Sequence, residues 1–139
     1  MMMFKNLFIA IYAGCLVAGC GGTGEEAPPL AEVSGTVTLN GKPLPKATVM
    51  FFPVQEGRVS TGVTDDKGAY SLSYEPSVPG AVKGFHRVEI RTGGETLDAD
   101  GQLVEEVPEI LPENYHSQTR LAAEVGEPPN QINFELVKK

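Results

Sequence analysis

The chain has no tryptophan, and its 2 cysteines, Cys15 and Cys20, both lie close to the start of its 139 residues. Everything beyond Cys20 must therefore hold together by its core, with no disulfide. It also offers no thiol nucleophile and no cysteine ligand for a metal. Without tryptophan, the usual aromatic platform of a carbohydrate-binding module is missing. Basic runs are absent and the formal net charge is −7, which argues against nucleic acid and against electrostatic adhesion to anionic lipid headgroups. There is no Gly-x-Ser-x-Gly nucleophile elbow, no phosphate-binding glycine loop with lysine and no His-Glu-x-x-His helix. Helical periodicity is weak throughout. Nor does any apolar run reach the roughly 20 residues of a comfortable membrane span.

The apolar run that is present has another meaning. Lys5 precedes Leu7 to Ala13, which continue through Leu16, Val17 and Ala18, with the length and flanks of a secretory signal. Val17-Ala18-Gly19-Cys20 directly behind it resembles the bacterial lipobox. That resemblance implies cleavage after residue 19 and acylation of Cys20. Cys15 is the poorer candidate, because Tyr12 stands three residues before it. Stable anchoring takes at least two lipid chains, each buried methylene contributing about 0.8 kcal/mol. A diacylglycerol plus an amide-linked chain meets that need. Gly21, where aspartate favours retention at the inner membrane, leans the expected location toward the outer membrane. Residues 1–19 thus read as signal peptide, 20–31 as the lipidated cysteine with a tether stiffening at Pro28-Pro29, and 32–139 as one domain.

Period-two alternation dominates that domain, and 16 Gly and 11 Pro across the chain punctuate it. Val33, Gly35, Val37 and Leu39 alternate with polar residues before the Asn40-Gly41 turn pair. Ala47 to Val54 follows, with Val49 and Phe51 on one face and Met50 and Phe52 on the other. Arg58 to Thr64 and Ala69 to Tyr74 read as a hairpin around Asp65-Asp66-Lys67-Gly68. Gly84 opens a strand in which His86, Val88 and Ile90 share a face. Leu121 to Val125 and Ile132 to Leu136 make seven strands, and two sheets packed face to face are the expected solution.

Three of these stretches carry a resemblance. Val33-Ser34-Gly35-Thr36-Val37-Thr38-Leu39-Asn40-Gly41-Lys42-Pro43-Leu44, Ala47-Thr48-Val49 and Gly62-Val63-Thr64-Asp65-Asp66-Lys67-Gly68-Ala69-Tyr70 together resemble a carboxypeptidase regulatory-like domain. With a lipobox in front, Gly84-Phe85-His86-Arg87-Val88 in the middle and Leu111-Pro112-Glu113-Asn114-Tyr115 before Thr119-Arg120-Leu121, the arrangement is similar to small lipoproteins of planctomycete-type bacteria. The resemblance implies a transthyretin-like, seven-stranded Greek-key β-sandwich. In carboxypeptidases such a domain is an accessory to the catalytic one, so the resemblance carries fold and not activity.

One segment interrupts the strand pattern. Gly93–Thr119 holds Glu95, Asp98, Asp100, Glu105, Glu106, Glu109 and Glu113 with no Lys or Arg, so nearly all the net charge lies there. Asp98-Ala99-Asp100-Gly101 looks like the start of a calcium loop, with Asp98, Asp100 and Glu109 as candidate ligands. The glycine falls at position four rather than six of an EF-hand pattern. Leu103, Val104, Val107, Ile110 and Leu111 in the same segment suggest packing on the sandwich or docking on a partner. His86 and His116 show no zinc-ligand spacing, and a structural role is expected of His86. The sequence therefore predicts no enzyme and no cofactor. It predicts a lipid-anchored envelope module with a structural or binding role, contacting an envelope protein or a surface polymer. The second reading is a calcium-dependent binding module using residues 93–119.

Overall fold

The computed structural model describes residues 28–139, so the expected signal peptide 1–19, the expected lipidation site Cys20 and the first part of the expected tether lie outside the described residues. In chain order the strands are β1 (Leu30–Ala31), β2 (Val33–Leu39), β3 (Lys42–Pro43), β4 (Thr48–Pro53), β5 (Ser60–Val63), β6 (Ala69–Ser71), β7 (Ser73–Glu75), β8 (Val78–Pro79), β9 (Ala81–Val82) and β10 (Gly84–Arg91). They continue as β11 (Gly94–Leu97), β12 (Leu103–Val107), β13 (Ala122–Val125), β14 (Asn130–Gln131) and β15 (Phe134–Leu136), with one 3-10 turn at Glu113–Tyr115. The protein is all-β, and each of the seven strands expected from alternation falls on a strand of the structure.

The larger sheet runs β13-β10-β4-β5-β7-β8. Its inner face follows from the alternation of two strands: Val49 and Phe51 of β4 and His86, Val88 and Ile90 of β10 are buried. Met50 and Phe52, on the opposite face of β4, are half-buried. The smaller sheet is centred on β2. On one side β2 pairs in parallel with β14 and β15, Val33 against Asn130 and Val37 against Phe134. On the other it pairs antiparallel with β3 and β6. The two sheets share one apolar core containing Val37, Tyr70, Phe134 and Leu136 from one and Phe51, Val88 and Ile90 from the other. The Phe51 and Phe134 rings meet edge-on across it, centroids 6.1 Å apart, a favoured aromatic geometry.

The expected hairpin between residues 58 and 74 is corrected by the pairing. The chain does turn back at Asp65–Gly68. Asp65 accepts from the Lys67 and Ala69 N–H groups through Oδ1, both at 2.9 Å, and Gly68 takes φ +75°, which glycine adopts freely. Beyond the turn β6 joins β2 in the smaller sheet, and only β7 returns to β5 in the larger one. The division falls at Leu72, which is buried and donates its N–H to the Val33 carbonyl. A strand that changes sheets makes a corner of a sandwich, and here it lets Tyr70 and Leu72 both reach the core.

Thr64 fixes the loop beneath this corner. Its buried hydroxyl donates to the Leu44 carbonyl at 2.6 Å and accepts the Ala47 N–H at 2.8 Å. Asn40 and Gly41 take positive φ, 51° and 81°, as the Asn-Gly pair predicts for a tight turn.

β2 and the C-terminal strand approach so closely at Gly35 that a methyl group there would overlap the Ile132 carbonyl oxygen. Gly35→Ala should lower unfolding free energy by at least about 2 kcal/mol, the scale of overpacking a core. Gly126→Ala, where nothing lies within 4 Å of the added carbon, should change it little. Urea unfolding of the two variants checks the contrast; equal stability would mean that the β2–β14 contact yields at little cost.

Candidate functional site

Acidic character, exposed apolar surface and the candidate ligands coincide in the excursion between β10 and β13. The sequence set 93–119 apart as an interruption of the strand pattern. The structure builds a hairpin there, β11 against β12, with Glu95 opposite Glu106 and Leu97 opposite Leu103. A bulge between Thr96 and Leu97 leaves Val104 as the extra residue. Every residue of both strands is exposed. Of the five aliphatics predicted to pack or dock, only Leu111 enters the core; Leu103, Val104, Val107 and Ile110 stay 52, 65, 43 and 43% exposed. Leu97 adds another exposed aliphatic at 56%.

Glu109 closes the neck of this hairpin. Its carboxylate accepts from the Thr92 N–H at 3.0 Å, the Thr92 hydroxyl at 2.8 Å, the Gly93 N–H at 3.0 Å and the Leu111 N–H at 3.0 Å. Partial burial pushes its carboxyl up, but the hydrogen bonds from Thr92, Gly93 and Leu111 outweigh that and hold it down at about 2. A carboxylate surrounded by N–H donors behaves this way. Gly93 is glycine because a side chain there would strike the backbone of Glu109, 2.6 Å away.

Asp98 serves the opposite end. Its Oδ1 accepts from the Asp100 and Gln102 N–H groups, both at 2.9 Å, as aspartate does in a turn. The candidate ligands are not brought together. Asp98 and Asp100 sit at the tip and Glu109 at the neck, separated by a four-residue strand that spans roughly 13 Å. Oδ1 of Asp98 and both carboxylate oxygens of Glu109 accept from backbone N–H groups. Among the described residues no three His, Cys, Asp or Glu side chains cluster to hold a metal.

The histidines are structural. His86 is buried, gives its Nε2 hydrogen to the Val82 carbonyl at 2.6 Å and lies 5.4 Å from the Phe51 ring centre. A carbonyl only accepts, so Nε2 carries the proton. His116 is buried too, with Nε2 against the Leu111 carbonyl at 3.1 Å, a bond within the segment behind the hairpin. Neither Nδ1 has a hydrogen-bond partner.

Phe85 is 61% exposed on the outer face of the larger sheet, where the Arg87 guanidinium lies 4.6 Å from the Phe52 ring centre. The signal was available: Phe85 alternates with the buried His86. A groove of about 450 Å³ is lined by Glu32, Ser34, Leu72, Pro79, Pro128 and Pro129, among others.

No protein-family model matches the chain, and no curated protein matches it. A solved structure, the 9R-lipoxygenase from Cyanothece PCC8801, is similar over 78% of this chain at 17% identity, with a TM-score of 0.39. The chain spans 16% of that lipoxygenase. That neighbour is an enzyme, and the expectation that this chain is no enzyme is withdrawn; a likeness of this grade assigns no activity in its place. No helix among the described residues is long and apolar enough to cross a membrane.

Two measurements follow from the hairpin's ends. Millimolar calcium added after EDTA should leave the thermal midpoint of the protein unchanged; a rise that vanishes in Asp98→Asn would restore the metal site. Glu109 contributes stability that is present above its unfolded value of 4.5 and is lost as pH falls toward about 2. Glu109→Gln should therefore speed amide exchange at Thr92 and Gly93 above pH 5, and converge with the parent near pH 2. A gap that persists at pH 2 would assign the effect to packing.

Proposed function

We propose that this protein is a lipid-anchored envelope protein whose domain binds a partner on the side turned away from the membrane. One geometric relation carries the reading. The Lys83 N–H donates to the Pro29 carbonyl and β1 pairs with β9, so the chain following the tether enters beside the start of β10. The acidic hairpin leaves from the other end of the same strand, after Arg91. Eight residues of β10 place the two roughly 26 Å apart. A tether at one pole and an exposed hairpin at the other suit a module held on a bilayer with its contact surface outward.

The anchor in this reading is Cys20, acylated after removal of residues 1–19, with the outer membrane as the favoured location. The fold is read as a transthyretin-like Greek-key sandwich of the carboxypeptidase regulatory-like type. Supporting it are the Thr64-Asp65-x-x-Gly68-x-Tyr70 corner and two sheets sharing one core. The work is binding or structural, toward an envelope protein or a surface polymer. Acidic charge at the exposed pole keeps that end off an anionic bilayer surface.

Cys20→Ala tests the anchor. The parent should stay with membranes through a carbonate wash, and the variant should be released. A variant that remains in the membrane fraction would show that another segment anchors the chain.

A further inference from the structure

The register of the hairpin sorts its side chains into two faces. Residues directly opposite each other share a face, as do residues two apart along a strand. Glu95 and Leu97 therefore lie on one face together with their partners Glu106 and Leu103. Leu103 and Glu106 are three apart and would ordinarily point to opposite sides. The extra residue of the bulge, Val104, brings them back to the same one. The result is a glutamate pair next to a leucine pair, all four exposed.

This face costs the isolated protein stability on two counts. Two glutamates directly across a strand pair repel, and a two-stranded sheet with no apolar cover is marginal in water. The charge also limits what can cover it. An anionic lipid surface is repelled. A second copy would bring another glutamate pair against the first. A cation seated between Glu95 and Glu106 removes the repulsion, and an apolar group beside it covers Leu97 and Leu103.

We propose that this face docks an extended basic segment of a partner protein, one that places lysine or arginine between Glu95 and Glu106 and an aliphatic side chain on Leu97 and Leu103. Two such side chains two residues apart on an extended segment are spaced by roughly 6.6 Å, as Glu95 and Leu97 are on β11. The proposal rests on the partner-binding part of the function above and not on the lipid anchor. Its failure leaves the Cys20 fractionation result standing, and the reverse also holds.

The full-length chain in detergent, titrated with the fluorescent peptide Lys-Thr-Leu-Thr-Lys-Thr-Leu, tests it. The peptide should bind, and replacement of its lysines by glutamate should abolish binding. Glu95→Gln with Glu106→Gln, and separately Leu97→Ser with Leu103→Ser, should each weaken binding roughly tenfold, an easily read difference in dissociation constant. All four side chains are exposed, so neither double variant should lower the parent's melting temperature. No binding by the parent would overturn the proposal. Binding indifferent to Leu97 and Leu103 would do the same, reducing the face to a diffuse acidic surface. Sedimentation showing self-association that Glu95→Gln with Glu106→Gln strengthens would assign the face to a second copy instead.

Discussion

The close contact between β2 and the C-terminal strand is the constraint on which the smaller sheet depends. β2 is flanked on both sides: β14 and β15 lie parallel to it, β3 and β6 antiparallel. Its partners come from the 40s, the 70s and the 130s, so this single seven-residue strand joins regions far apart in sequence. Gly35 makes the approach possible, and Tyr70 completes it by donating its hydroxyl hydrogen to the Ile132 carbonyl. Where the parallel ladder is interrupted, the Asn133 side chain supplies the missing acceptor for the Thr36 N–H at 3.0 Å. Phe134 then sits within reach of both Tyr70 and Phe51, which ties the smaller sheet to the larger.

Carboxylates serve a common mechanical purpose in this molecule. Asp65, Asp98 and Glu109 each take backbone N–H groups that no strand partner satisfies, in a turn or at a neck. Buried or half-buried N–H groups need an acceptor, and an ionised carboxylate is a strong one. Acidic density along residues 93–119 therefore has a local explanation at two of its seven carboxylates. The remaining glutamates of the hairpin, with no N–H partners of this kind among the described residues, are the ones left facing outward as charge.

Much of the fold was legible because alternation has one meaning when one face of a strand is buried. Val33 to Leu39 and Gly84 to Arg91 announced their inner faces, and the turn residues between them marked the corners. Two features were not legible. Which sheet a strand joins depends on contacts remote in sequence, so Ala69–Ser71 looked like the partner of Ser60–Val63 when it belongs beside β2. The hairpin at 94–107 was hidden because neither of its faces is buried, leaving no alternation to read. The Asp-x-Asp-Gly pattern at its tip then suggested metal chemistry, whereas the same residue types also build a turn. Of the candidate site, the sequence showed its charge and aliphatic content. The cross-strand register that gives those residues a common face required the structure.

The parallel pairing of β2 with β14 and β15 also sets an order of events as the chain emerges, whether from a ribosome or from a narrow pore. Residues 33–39 appear early, yet their parallel partners at 130–136 come 97 positions later in each pair. No leading portion of the domain can close the smaller sheet by itself. Until residues 130–136 are out, β2 lacks the partners along one of its two edges. Closure of the smaller sheet then waits for residues 130–136, whatever the rest of the domain has already formed.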